Sequence, residues 1–329
     1  MAKQFGIDDY INGIKAFDKR ILGKAITLIE SKKPEHRDLA DQLLKAILPF
    51  TGKSIRIGIT GVPGAGKSTF IETFGKLAIA KGKKVAVLAV DPSSSINKGS
   101  ILGDKTRMEE LAKDPNAFIR PSPSSGFLGG IANTTFESLL ICEAAGYDYI
   151  LIETVGVGQS ETLVNDITDV FLFLKIIGGG DELQGIKRGI MEMADLIFIN
   201  KVDPENLAKA KLTKTELSRA LQFITLLKEK DWKVPIILGS ALENEGLIET
   251  FEKIEKFIIL KNKNGTFLEN RKNQAEKRFE FWVKEYILEK AKRDNSLENS
   301  YLEHRKNAFD LSSNSSSEAR EFVKKLFDN

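Results

Sequence analysis

The sequence predicts an α/β protein: a doubly wound, mostly parallel sheet with a helical segment before it and a helical arm after it. Three observations carry that expectation. Short, near-continuous apolar runs at residues 55–60, 84–90, 149–152, 170–177, 196–199 and 234–238 read as strands covered on both faces. Gaps of roughly 10 to 25 residues between several of them suit helical crossovers. Before the first run and after the last, the strand signal gives way to helical spacing.

Residues 1–50 form the first segment. Ile21, Leu22, Ala25, Ile26 and Ile29 recur at helical intervals, as do Leu39, Leu43, Leu44 and Ile47. Pro34 suits the first turn of the second helix. Helices this short are marginal alone, so they are expected to pack on the sheet domain, residues 51–262. Asn264-Gly265 punctuates the boundary with the third segment, residues 263–329. There Phe267, Ala275, Phe279, Phe281, Trp282, Tyr286, Ile287 and Ala291 sit among many charged residues. They predict a long charged helix whose aromatic stripe is a packing face rather than a ligand contact.

Bulk properties narrow the function. The formal charge of +3 is too small to make nucleic acid or an anionic membrane the main partner. No apolar run approaches the length needed to cross a bilayer, and the first residues lack the apolar core of a secretory signal. The single cysteine, Cys142, excludes an internal disulfide, so a reducing, cytoplasmic setting is expected.

Residues Gly61, Val62, Pro63, Gly64, Ala65, Gly66, Lys67 and Ser68 match GxxxxGK[ST], after one predicted strand and before a good helix that opens with Thr69. That context is what a phosphate-binding loop requires. The glycines let backbone N–H groups turn inward, and the helix N-terminus adds its positive end. Lys67 is placed to bridge the β- and γ-phosphates, and Ser68 to ligate Mg²⁺. Hard oxygen ligands for that ion can also come from the ends of neighbouring strands: Asp91 after the second run, Glu153 after the third, and Asp104 in the loop beyond Asp91.

Glu153-Thr154-Val155-Gly156 is similar to the DxxG element of GTPases. Gly156 would then contact the γ-phosphate, making residues 155–161 a candidate switch. Asp91, Asp104 and Gln159 are the candidates for positioning the attacking water, and Arg107 is a candidate arginine finger. Asn200-Lys201-Val202-Asp203 follows a predicted strand and fits NKxD. Asp203 can accept hydrogen bonds from guanine N1–H and its 2-amino group. Adenine leaves that carboxylate unpaired, and sites of this kind reject the wrong base by about 10⁴ or more. Lys201 would lie along the purine, Asn200 would tie this loop to the phosphate loop, and Ser240, Ala241 and Leu242 would offer a backbone N–H to guanine O6.

These elements in this order resemble the MeaB/ArgK group, the GTPase chaperones of methylmalonyl-CoA mutase. The resemblance also rests on residues 24–31, Asp91-Pro92-Ser93-Ser94, residues 99–108 and 118–123, Cys142-Glu143-Ala144-Ala145-Gly146, and residues 153–161 and 179–187. It implies a P-loop NTPase G domain of the SIMIBI type and a C-terminal dimerisation arm forming a homodimer. It implies a Mg²⁺-dependent GTPase that binds GTP and GDP. Its partner would be an adenosylcobalamin-dependent acyl-CoA mutase, whose cofactor loading it gates and which it protects from inactivation. It makes residues 155–161 switch II and 178–187 a further, partner-facing switch.

Two other functions fit less well. A metal-insertion GTPase needs a Cys/His cluster, and only Cys142, His36 and His304 are available, far apart in sequence. A nucleotide-dependent kinase using ATP conflicts with Asp203.

Overall fold

A computed structural model describes residues 5–31, 33–91, 108–123, 128–154, 160–177, 188–224, 232–293, 295–310 and 314–327. The chain divides into two compact units, Met1–Leu268 and Glu269–Asn329.

The first unit opens with helices α1 (Ile7–Lys15), α2 (Lys19–Ile29) and α3 (Pro34–Ile47). Asp18 caps α2 by accepting from Arg20 N and Ile21 N, and Pro34 starts α3, where a missing N–H costs nothing. Gly13 lets α1 cross α2 closely, since a Cβ there would lie 2.5 Å from Ile21 Cγ2. The apolar spacing foresaw α2 and α3 but not α1.

The sheet has seven strands: β1 (Ile55–Gly61), β2 (Val85–Asp91), β3 (Ala117–Pro123), β4 (Tyr149–Thr154), β5 (Val170–Ile176), β6 (Leu196–Asn200) and β7 (Ile236–Leu238). Their order is β3-β2-β4-β1-β5-β6-β7, and every pairing among the described strands is parallel. Six match the predicted runs. The extra one, β3, carries Pro121 and Pro123, residues that argue against a strand until its place is known. It is the edge strand, paired only with β2, where a missing N–H can be tolerated.

Helices cover both faces: the crossovers α4 (Lys67–Ala80), α5 (Glu109–Lys113), α6 (Leu128–Ala144), α7 (Ser160–Asn165), α8 (Arg188–Met193) and α9 (Leu207–Ile224), and α10 (Leu247–Lys263) after the last strand. Strand residues alternate between two buried layers, as the pleat demands. Ala86, Leu88, Ile150, Ile152 and Phe171 face α6 and the three N-terminal helices. Val85, Val87, Ile57, Ile59 and Leu172 face α4 and α10, meeting Phe70, Phe74 and Phe257. The N-terminal helices are thus part of the first unit's core. Arg120 on β3 also pairs with Glu30 at the C-cap of α2, and Lys19 Nζ donates to the Asp114 carbonyl at 2.7 Å.

One buried ion pair stitches β1 to α6. Arg56 Nε and Nη2 donate to Glu143 Oε1 and Oε2 at 2.9 and 3.1 Å, and Gly52 N donates to Glu143 Oε2 at 2.8 Å. The bidentate geometry, with both side chains buried, accounts for a carboxylate in an otherwise apolar helix face. Cys142 beside it is wholly buried, and burial pushes its thiol pKa well up, so it is packing rather than chemistry.

The second unit holds most of α11 (Thr266–Arg293), with α12 (Asn295–Phe309) and α13 (Ser315–Phe327). The predicted aromatic stripe lies on α11. Within one chain Phe279, Tyr286 and Ile287 of that stripe remain exposed. Tyr301 of α12 meets Phe322 of α13 edge-on at 5.4 Å, and His304 Nδ1 lies 2.6 Å from Glu318 Oε2. No helix among the described residues is long and apolar enough to cross a membrane.

Candidate functional site

The site forms at the carboxyl end of the central strand β1, flanked by β4 and β5. In open α/β sheets ligands bind where the winding direction reverses, and β1 is that point here. From β1 the chain turns through residues 61–66 into α4. Gly66 closes the turn at φ 87, a left-handed conformation that side-chain-bearing residues rarely adopt. A Cβ there would also lie 2.5 Å from Asn200 Nδ2, so glycine is required twice over.

Lys67 is buried, and its Nζ donates to the Gly61 carbonyl at 2.8 Å and the Val62 carbonyl at 3.3 Å, holding the ammonium over the loop. Ser68 Oγ donates to Glu153 Oε1 at 3.0 Å, bringing two hard oxygen donors together from α4 and β4. Beneath them Thr154 Oγ1 donates to Thr60 Oγ1 at 3.0 Å, both fully buried, tying β4 to β1 one residue before the glycine loop.

Asn200 ends β6 and joins three segments. Its Nδ2 donates to the Ala65 carbonyl at 2.8 Å, and its Oδ1 accepts from Ala241 N at 2.9 Å. The second contact draws in the loop after β7, which is closed by a bridge between Ser240 and Glu245. A cavity of about 390 Å³ opens beside this junction, lined by Gly66 and Thr69 on one side and by Lys201, Asp203, Ala241 and Leu242 on others. That volume is within the usual range of small-ligand sites, about 300–1,000 Å³.

The structure therefore brings together Gly61, Val62, Pro63, Gly64, Ala65, Gly66, Lys67, Ser68, Thr69, Glu153, Asn200, Lys201, Asp203, Ser240, Ala241 and Leu242 around one end of the sheet. Asp91 is the last residue of β2, two strands from β1. Asp104, Arg107, Gly156 and Gln159 lie outside the described residues, as do residues 178–187. Two features escaped the sequence reading. The Thr60–Thr154 pair spans 94 residues and has no spacing signal. Asn206, hydrogen-bonded to Asp203, does have one: an Asp followed three residues later by a side-chain acceptor is the spacing of a capping box.

Comparison with known proteins then decides the family. A family model described as "Methylmalonyl Co-A mutase-associated GTPase MeaB" matches residues 22–296. The chain belongs to the MeaB family. Among MeaB relatives, GTPase ArgK of Escherichia coli is 47% identical over 275 residues, covering 84% of this chain and 83% of its own. The mitochondrial methylmalonic aciduria type A homolog of Mus musculus is 44% identical over 301 residues, covering 88% and 72%. The solved structure of an LAO/AO transport system kinase superposes with a TM-score of 0.76 at 34% identity, covering 99% of both chains. Family and fold together make this MeaB-family chain a P-loop GTPase.

Proposed function

We propose that this chain binds GTP with Mg²⁺ across the cavity described above. Its hydrolysis of that GTP would gate cofactor loading into an adenosylcobalamin-dependent acyl-CoA mutase and protect that enzyme from inactivation. One observation carries the nucleotide half of this reading: a single cavity is lined by Gly66, the last residue of the glycine loop, by Thr69 just beyond it and by Asp203, with Asn200 bonded to both flanking loops. A triphosphate on the loop places its base at Asp203, whose carboxylate pairs with guanine N1–H and 2-amino and is left unpaired by adenine.

The donor set fits Mg²⁺. Ser68 and Glu153 present hard oxygens 3.0 Å apart, the ligand type this small cation prefers. Ser68 would hold it, with Glu153, Asp91 and Asp104 as further oxygen donors. The ion would supply charge neutralisation at the β- and γ-phosphates. Lys67 contributes a fixed positive charge from a largely buried position, where it acts more strongly than in water. The first turn of α4 adds N–H groups without helical partners. Gln159, Asp91 or Asp104 would orient the attacking water.

The mutase half rests on the family description and on the mouse relative's name. Residues 155–161 and 178–187 would be the segments the mutase senses. A homodimer through the second unit belongs to the same proposal. It is supported by the exposed apolar residues of α11 and by an apolar cavity of about 500 Å³ whose lining includes Ile287, Leu288, Tyr301 and Phe322. The domain division at residues 1–50, 51–262 and 263–329 and a cytoplasmic setting complete it.

Two measurements test the proposal. In competition binding, GTP should displace a labelled guanine nucleotide far better than ATP. Equal displacement would remove the guanine reading and favour the kinase activity named for the solved relative. In single-turnover hydrolysis, purified mutase should accelerate a slow basal rate; a fast rate indifferent to mutase would refute the gating role.

A further inference from the structure

The base-facing loop contains a residue outside the Asn-Lys-x-Asp motif that controls its shape. Asn206 stands one residue before α9, where an Asn side chain ordinarily accepts an N–H from the helix it precedes. Here it turns the other way. Its Oδ1 accepts from Asp203 N at 3.0 Å, while Nδ2 donates to Asp203 Oδ2 at 2.7 Å and to the Lys201 carbonyl at 2.9 Å. Its main-chain N–H donates to Asp203 Oδ1 at 2.8 Å.

A side-chain amide offers two N–H donors and a carbonyl acceptor, and both donors and the acceptor oxygen are engaged with residues 201–203. Each Asp203 carboxylate oxygen takes one bond from Asn206, so the carboxylate cannot rotate without breaking one. Lys201, whose carbonyl is the remaining anchor, sits at φ 62, a conformation that a side-chain-bearing residue holds only when its surroundings impose it. Asp203 is exposed, so water competes with any single bond made to it, and several bonds from one residue hold what one would not.

We propose that Asn206 is a positioning residue for base selection. It aims the Asp203 carboxylate and maintains the backbone of residues 201–203, so that the free lone pairs meet the purine edge without reorganisation. A preorganised acceptor discriminates better than a mobile one, because no ordering cost is charged against the correct ligand. The inference rests on the assignment of Asp203 to guanine, and the experiment separates the two.

Binding of GTP and ITP is compared in the wild-type full chain, N206A, N206S and D203N. Inosine lacks the 2-amino group, so the GTP-to-ITP affinity ratio reports how well Asp203 is aimed. N206S keeps a hydroxyl able to start α9 but has no amide to give. The expected result is that N206A and N206S both compress the ratio by about fivefold or more through a selective loss of GTP affinity, about 1 kcal/mol, while N206S retains the wild-type melting temperature. A ratio unchanged in N206S, with GTP and ITP weakened alike or not at all, overturns the proposal. D203N is the control for the underlying assignment. A carboxamide there donates to the C2 carbonyl of xanthine, so D203N should gain XTP at the expense of GTP. If it does not, the guanine assignment fails, and this inference fails with it.

Discussion

Replacing Asn200 with alanine should unfasten the site and weaken the fold together. The side chain is 2% exposed and makes two hydrogen bonds, to the Ala65 carbonyl and from Ala241 N, whose residues are 0% and 1% exposed. Truncation leaves one buried acceptor and one buried donor unmatched, and each costs about 1–3 kcal/mol. The neighbouring cavity of about 390 Å³ admits water, which can satisfy one of them. With one group satisfied, the expected loss is about 1–3 kcal/mol of unfolding free energy, read as a lower midpoint in urea at unchanged slope. Nucleotide affinity should fall by at least about tenfold, because binding must then reassemble two loops that Asn200 holds ready. Asn200→Asp grades the effect. It keeps an acceptor for Ala241 N but places a carboxylate oxygen against the Ala65 carbonyl, so it should be no better than alanine in stability. If N200A unfolds at the wild-type urea midpoint and binds GDP within about twofold of wild type, the claim that this residue joins the two walls is wrong.

Two further outcomes follow from the interior. Glu143→Ala strips the carboxylate from the buried Arg56 guanidinium and should cost about 3–5 kcal/mol in chemical denaturation, whereas an effect under about 1 kcal/mol would show the pair to be solvated in practice. Glu137 on α6 has its pKa raised from 4.5 to about 7, chiefly by burial, with Asp41 of α3 adding to the shift and Arg37 opposing it. The protonated carboxyl is thus the folded-state preference: stability is undiminished below about pH 4.5 and is lost as pH rises from there through about 7, by up to about 3 kcal/mol. Glu137→Gln should remove that slope and raise the melting temperature at pH 8; a variant whose pH profile parallels the wild type would refute it.

Much of the site was legible because its parts are local. The glycine loop, its helix, and the Asn-Lys-x-Asp turn each need particular residue types within a few positions, and both motifs follow strands announced by apolar runs. Glu153 and Asp91, two of the candidate Mg²⁺ donors, were legible only as acidic strand ends. For Glu153 the structure places the carboxylate against Ser68; for Asp91 it describes the strand position alone. The helix α1 went unseen because its few apolar residues, Ile7, Tyr10, Ile11 and Ile14, are diluted by Asp8, Asp9 and Asn12, and only packing on α2 and α6 makes that face decisive.

The sequence alone determined six of the seven described strands, the helices of strong apolar period such as α2 and α3, and the turns in which phosphate and base chemistry is expected, because pleat, helical period and turn conformation are properties of neighbouring residues. Only the tertiary structure decided which of them meet. The prolines of β3 became acceptable once that strand took the edge. Arg56 found Glu143 at 87 residues' separation, and Asn200 found Ala65 at 135. Such contacts follow from strand order and from the packing of both sheet faces at once, and no local pattern encodes that sum.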